Sequence, residues 1–196
     1  MTQEPPKTTL PMTPGALDAI VRSVGAGSGR NKDAAPVHLW NPPYCGDIGL
    51  EIRADGTWIY RGSPITRRPL VELFASVLRK DEDGKTYLVK PAEKVDVKVA
   101  DAPFLAVEMQ VSGDSKARTV AFRTNLDTWV QIDAAHPIRF EVQEPAGGLK
   151  PYVLVRGRLE ALLVRTVYLD LVGLATEGET EAPGFWSGGI WWPLDA

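Results

Sequence analysis

Three side chains near residue 40 are of the types that enzymes use for nucleophilic catalysis. His38, Cys45 and Asp47 lie within the stretch HLWNPPYCGD, and Cys45 is the only cysteine of the chain. A cysteine thiolate can act as a nucleophile when a histidine takes its proton and a carboxylate orients that histidine. An acidic neighbour opposes thiolate formation, however, and the stretch matches no known cysteine-enzyme signature. We therefore interpret Cys45 as a small buried side chain at the start of a strand. An enzyme of unknown class that uses these three residues remains the alternative.

The same stretch contains potential metal ligands, with His136 as a further candidate. Structural zinc sites take four ligands, which are usually presented in closely spaced pairs. One cysteine and two histidines far apart in the chain do not form such pairs, so we predict no metal site. The chain also has no phosphate-binding G-x-x-x-x-G-K-[ST] loop, and GAGSG at 25–29 does not join a strand to a helix. We predict no cofactor.

Aromatic and arginine side chains are the better candidates for ligand binding. Trp40 precedes two prolines and is favoured as a plug at the edge of the core, with a ligand-stacking wall as the alternative. Arg61, Arg156 and Arg165 are favoured as structurally paired arginines, because an unpaired charge in a core is costly. Alternatively these arginines line a cleft for a phosphate or a carboxylate. A solvent-facing Arg165 with no anion beside it would remove this second interpretation.

The C-terminal stretch FWSGGIWWPL contains three of the six tryptophans. Ser187 stands between Trp186 and a glycine, and a strand is expected to follow it, so it does not fit the nucleophile elbow of serine hydrolases. In one continuous strand Trp191 and Trp192 would point to opposite faces. We therefore expect one of them to face outward, where it could anchor a homo-oligomer.

Composition excludes several classes of function. The chain has 196 residues, a formal net charge of −3 and 44% hydrophobic residues. It lacks the basic excess of a nucleic-acid-binding protein. The N-terminus lacks the features of a secretory signal, and the apolar segment 159–174 is interrupted by charges that argue against a membrane span. A single cysteine fits a reducing compartment, so we expect a cytoplasmic protein.

Hydrophobic periodicity predicts an α+β fold of two tandem units. Residues 1–36 are predicted to form a mobile tail, a short helix and a flexible linker. The first unit, 37–112, is expected to contain a hairpin at Asp55-Gly56 and a helix over 66–80. The second unit, 113–196, is expected to contain a strand that passes through Arg156-Gly157 into a helix of about 16 residues. A period of two from 93 to 143 indicates an antiparallel meander.

Several motifs together resemble an uncharacterised bacterial family defined by a domain of unknown function. They are W-N-P-P-x-C-G, D-G-T-W-x-Y-x-G-S-P-I-x-R, L-F-A-S-V-L-R, D-A-P-F, F-R-T-N, P-Y-V-x-V-R and W-S-G-G, and they span residues 37 to 194. The resemblance implies a two-part α+β fold built from repeated motifs, with no established activity, and a role in signalling or regulation.

The sequence as a whole favours a non-catalytic regulatory module that binds a small ligand or a protein. We expect the binding groove to lie between the two halves. The predicted lining consists of Trp40, Trp58, Arg156 and Trp186.

Overall fold

The protein is built mainly from β-strands. The computed structural model describes residues 35–143, 145, 147–176 and 183–195, in which fourteen strands accompany two short α-helices. The strands are β1 (Tyr44–Ile52), β2 (Trp58–Tyr60), β3 (Ser63–Pro64), β4 (Leu78–Lys80), β5 (Thr86–Lys90), β6 (Glu93–Val99), β7 (Phe104–Ser112), β8 (Thr119–Thr124), β9 (Trp129–Gln131), β10 (Ile138–Gln143), β11 (Gly148–Arg156), β12 (Leu159–Leu163), β13 (Gly184–Ser187) and β14 (Ile190–Pro193). The helices are α1 (Arg68–Ser76) and α2 (Arg165–Val172), with 3₁₀ turns at Val37–Leu39 and Ser115–Ala117.

Two six-stranded sheets share one topology. The first has the order β3-β2-β1-β6-β5-β4, and the second has the order β10-β11-β12-β7-β8-β9. If the strands of each sheet are numbered 1 to 6 in chain order, both sheets have the spatial order 3-2-1-6-5-4 when followed in one direction. In both sheets the first and last strands of the unit pair in parallel, β1 with β6 and β7 with β12, while the other pairs are antiparallel. The molecule therefore contains a repeat of strand order.

The predicted α+β class is wrong, because strands occupy segments that we assigned to helices. The predicted second helix is divided into strand β12 and the eight-residue helix α2. Leu159, Ala161 and Leu163 of β12 are buried, and the strand pairs with a neighbour on each side. Only Glu160 interrupts the apolar sequence of this interior strand, so its composition resembles that of a buried helix.

The first predicted helix also ends earlier than expected. Helix α1 stops at Ser76, and residues 78–80 form the edge strand β4. Pro69 lies in the first turn of α1, and Arg67 is the N-cap residue. The amphipathic pattern continues through Leu78, which is buried in the strand as it would have been in the helix.

Each of the two Arg-Gly pairs lies at a hairpin turn between two strands, although we expected the strand through Arg156-Gly157 to lead into a helix. Arg61 and Gly62 both have positive φ, +48° and +83°, and connect β2 to β3. Such a two-residue turn matches the twist of antiparallel strands. Gly157 has φ +55° and lies between β11 and β12. The chain therefore turns at Gly157 into strand β12 before it reaches helix α2.

Other expectations are confirmed in part. The hairpin at Asp55-Gly56 joins β1 and β2, with Ile52 opposite Trp58. The strands β7, β8 and β9 form an antiparallel meander, but the chain changes sheets between β6 and β7. The change lies between Val99 and Phe104, within the stretch that we assigned to the first unit. The predicted helix of residues 17–24 and its linker lie outside the described residues.

The C-terminal stretch forms a hairpin instead of a single strand. Trp186 pairs with Trp191 and Phe185 with Trp192 across β13 and β14. Phe185 is fully buried and belongs to one hydrophobic cluster that includes residues of both sheets. The two sheets and this hairpin thus share a common core.

Candidate functional site

A groove lies where the half of the molecule that contains the first sheet meets the half that contains the second sheet. Its volume is about 740 Å³, within the range of small-molecule sites. One wall comes from the first half, namely the 3₁₀ turn after Ala35 and strand β4 with the residues that follow it. The opposite wall is the turn between β11 and β12. The lining residues are Ala35, Pro36, Val37, His38, Leu78, Arg79, Lys80, Asp81, Glu82, Arg156, Gly157, Arg158 and Leu159.

Arg79 fixes the first wall. Its Nη1 donates to the carbonyl oxygens of Val37 and Trp40 at 2.7 and 2.6 Å, and its Nε and Nη2 donate to Asp81. Lys94 donates to the same carboxylate at 2.9 Å. These bonds satisfy the guanidinium within the protein and hold the 3₁₀ turn against β4. Arg79 therefore shapes the groove and has little capacity left to bind a ligand.

Arg156 joins the second wall to the first half. Its Nη2 donates to the carbonyl oxygen of Ala75 in the last turn of α1, a turn with no basic residue of its own. Its guanidinium lies 5.3 Å from the centre of the Phe104 ring. A cation at the C-terminal end of a helix is favourable because it complements the helix dipole.

The charge of Arg156 is not balanced by a carboxylate of the described chain. Its hydrogen bond goes to a neutral carbonyl, and its buried Nε has no hydrogen-bond partner. Burial lowers the pKa of this guanidinium. Buried charges are normally paired, and this half-buried guanidinium has no carboxylate partner among the described residues.

The remaining charged residues of the groove are more exposed. Arg158 Nη2 lies 3.1 Å from Glu82, and both side chains are mostly exposed. Such a surface pair contributes little to stability and can exchange partners easily. Lys80, half-buried on the edge strand β4, forms no ion pair with a described residue.

Cys45, His38 and Asp47, all within the described part of the chain, are not joined to one another by hydrogen bonds. Cys45 is exposed near the start of β1, so our prediction of a buried side chain was wrong. Its Sγ donates to the Pro43 carbonyl oxygen at 3.6 Å. Asp47 accepts from Gly49 N and pairs with Lys98 at 2.8 Å, and these contacts lower its pKa, the Lys98 bond most strongly. His38 lies in the groove.

Of the four predicted ligand-binding residues, only Arg156 lines the groove. Trp40 packs against the core beside the groove and contributes its carbonyl oxygen to Arg79, in keeping with a plug. Trp58 is 2% exposed and packs against Phe74 inside the first half. Trp186 belongs to the C-terminal hairpin, where Lys116 lies 4.7 Å from its ring centre. Burial or a different location thus separates the three tryptophans from this groove.

The remaining candidate residues are His136, considered as a metal ligand, and Arg165, considered as an anion-binding residue. His136 Nδ1 lies 3.2 Å from Asp133 in the turn after β9. Within the described ranges no three His, Cys, Asp or Glu side chains form a group that could hold a metal ion. Arg165 is exposed at the first residue of α2 and forms no ion pair with a described residue. Arg165 thus meets the condition that removes the interpretation of one cleft lined by all three arginines, and any case for a bound anion has to be made from Arg156 alone.

Sequence reasoning missed most of the charged lining of the groove. Arg79 and Lys80 appeared to be the end of a helix, and Asp81 and Glu82 appeared to be ordinary turn residues. The available signal was the density of charge in RKDED at the end of an apolar segment. That signal does not say which of these side chains would face the second half.

Comparisons with known proteins give the chain its family. The N-terminal domain model of DUF1285, a domain of unknown function, matches residues 35–102, and the C-terminal domain model matches residues 103–194. A crystal structure of a DUF1285 family protein from Silicibacter pomeroyi DSS-3 is 40% identical with a TM-score of 0.81, over 89% of this chain and 93% of that one. A DUF1285 family protein from Shewanella baltica OS155 is 28% identical with a TM-score of 0.49, over 64% of this chain and 91% of that one.

Two further findings complete the comparison. None of the curated proteins that were searched is similar to this chain. Among the helices of the described residues, none has both the length and the apolar character needed to cross a membrane. The two domain models together match most of the chain, in the order that the family requires, and the expected resemblance to an uncharacterised family is confirmed. The chain therefore belongs to the DUF1285 family.

Proposed function

We propose that this protein is a non-catalytic module of the cytoplasm that binds a small anionic ligand in the groove between its halves and acts in regulation. The observation that carries the proposal is Arg156, a half-buried cation whose hydrogen bond goes to a carbonyl oxygen instead of a carboxylate. An anion in the groove would balance this charge. The planar guanidinium is well suited to carboxylate and phosphate groups.

The shape of the site supports ligand binding. One wall belongs to the first half and the other to the second, so a bound ligand contacts both. A ligand that binds only the folded protein also stabilises it, by an amount that grows with ligand concentration. Binding in the groove can therefore influence how firmly the halves are held together, which is a physical basis for regulation. An exposed free thiol at Cys45 is compatible with a reducing compartment.

The test is a titration of the intact protein with acetate, succinate, inorganic phosphate and alkyl phosphates, monitored by thermal shift and by backbone amide NMR. We expect at least one anion to raise the melting temperature. The same anion should shift amide signals of β4 and of the β11–β12 turn. The proposal fails if no anion binds, or if the shifted signals lie elsewhere.

Variants of Arg156 provide the matched comparison. Arg156→Gln should weaken binding by about 10- to 100-fold, the value of a hydrogen bond to a charged group. Arg156→Lys should retain part of the affinity because it keeps the charge. Arg165→Gln, at an exposed arginine outside the groove, should bind like the wild type. Equal affinities for all three variants would contradict the assignment, and circular dichroism checks that each one is folded.

A further inference from the structure

The charges that line the groove specify more than the sign of the ligand. Four positive residues, Arg79, Lys80, Arg156 and Arg158, stand against two carboxylates, Asp81 and Glu82. Arg79 is bonded to Asp81, and Arg158 is paired with Glu82. Lys80 and Arg156 remain, and neither has a carboxylate partner in the described part of the chain. The surplus of the described lining is thus two positive charges.

The two unpaired cations come from opposite walls. Lys80 ends the edge strand β4 of the first sheet, and Arg156 ends β11 of the second. A monoanion placed between them would neutralise only one of the two. A compact dianion neutralises both and offers several acceptor oxygens to a planar guanidinium and to a lysine ammonium.

The uncharged residues of the lining indicate what kind of organic group is attached to the dianion. Apart from the imidazole of His38, these residues are aliphatic or small, and the described lining contains no Phe, Tyr or Trp ring. A nucleobase is normally held by stacking on several aromatic side chains, and the described walls offer only the single imidazole of His38. Aliphatic surface instead fits an alkyl or polyol chain.

We infer that the groove selects a phosphate monoester with an aliphatic remainder. We also infer that the ammonium group of Lys80 binds the second negative charge of the phosphate. This inference rests on the proposed function and adds the ligand class. A phosphate monoester carries nearly two negative charges at pH 7, because its second pKa is about 6. Its diester carries one and has nearly the same shape, which makes the two a matched pair of probes.

The experiment compares butyl phosphate with methyl butyl phosphate by isothermal titration calorimetry at pH 7.5, using the full chain. We expect the monoester to bind at least about tenfold more tightly, since one further charge-assisted hydrogen bond contributes that much. In Lys80→Gln the preference should fall to about threefold or less. Lys85→Gln, at an exposed lysine in the following turn, should keep the wild-type ratio.

The outcomes separate this inference from the proposed function. Equal affinity for the two esters in the wild type overturns the inference but leaves an anion-binding groove. Tight binding of succinate without binding of butyl phosphate also overturns it, because the dianion would then be a dicarboxylate. A wild-type ratio retained in Lys80→Gln overturns the role of Lys80. Absence of binding by every anion overturns both the inference and the proposed function.

Discussion

At the scale of single residues, polar side chains that could have served catalysis hold the fold together. Ser187 is fully buried in the C-terminal hairpin. Its Oγ accepts from Val120 N at 2.9 Å and donates to the Ile132 carbonyl oxygen at 2.7 Å. The hydroxyl therefore connects the hairpin to the second sheet and has both of its hydrogen-bonding roles occupied.

Ser187→Ala should lower the free energy of unfolding by about 1–3 kcal/mol, because it leaves a buried N–H and a buried carbonyl without partners. Urea denaturation monitored by circular dichroism measures this change. Ser112→Ala, at an exposed serine of β7, is the control and should be nearly neutral. A Ser187 variant as stable as its control would show that the hydroxyl is dispensable.

Asp81 makes stability depend on pH. Burial by itself would raise the pKa of this carboxyl, but the hydrogen bonds from Arg79 and Lys94 outweigh burial and lower it below the ordinary value of 3.8. Because the folded pKa is below the unfolded one, the carboxylate stabilises the fold fully above about pH 4. The contribution is lost as the pH falls through the folded pKa.

Asp81→Asn should therefore reduce the free energy of unfolding at pH 7 and make its decline below about pH 4 shallower than in the wild type. Urea denaturation at several pH values between 7 and 2 measures both effects. Asp114→Asn, at an exposed carboxylate with no capping bond, should leave the pH profile close to that of the wild type. Parallel acid profiles for wild type and Asp81→Asn would contradict this assignment.

At the scale of elements, the C-terminal hairpin depends on a close approach that only glycine allows. A Cβ at Gly184 would lie 2.5 Å from the Trp192 carbonyl oxygen and 2.8 Å from the indole ring of Trp191. The first of these contacts is with backbone, which cannot move aside as a flexible side chain can. Trp186 and Trp191 pack edge to face across the same hairpin, with ring centres 5.6 Å apart.

Gly184→Ala should destabilise the protein by about 1–3 kcal/mol through overpacking, and it should disturb the tryptophan environment. Urea denaturation gives the stability, and near-ultraviolet circular dichroism reports the Trp186–Trp191 pair. Gly148→Ala is the matched control, since a Cβ there meets no atom within 4 Å and needs no positive φ. Identical spectra and stabilities for the two variants would refute the steric argument.

At the scale of the whole molecule, the two sheets behave as one body because they share a core. A single cluster of buried residues includes Leu88 of β5 and Ala161 of β12. Polar contacts also cross between the halves: Arg68 of α1 pairs with Asp127 in the turn before β9, and Arg156 bonds to α1. Neither sheet could leave the other without exposing this apolar surface.

Core amides of β5 and β12 should therefore exchange hydrogen with the same free energy of opening, equal to the global free energy of unfolding. Native-state hydrogen exchange at increasing urea concentration measures both, and urea denaturation supplies the global value. Two distinct free energies, one for each sheet, would show that the halves unfold independently.

Local sequence determined those parts of the structure that local chemistry controls. The Asp55-Gly56 hairpin follows from two turn residues between alternating strands, and Pro69 marks the first turn of α1. Motifs along the chain identified the family. Arg156 was the one predicted ligand-binding residue that lines the groove.

Only the tertiary structure decided the fold class and the rest of the site. Residues 159–163 are apolar except for Glu160. Sequence cannot distinguish a covered strand from a buried helix there, because the two differ only in which neighbours surround them. For the same reason the exposure of Cys45 and the burial of Trp58 depended on packing between elements. Lys80 and Arg156 are far apart in the chain, and they line one groove because the shared core brings the edge of the first sheet against the β11–β12 turn of the second.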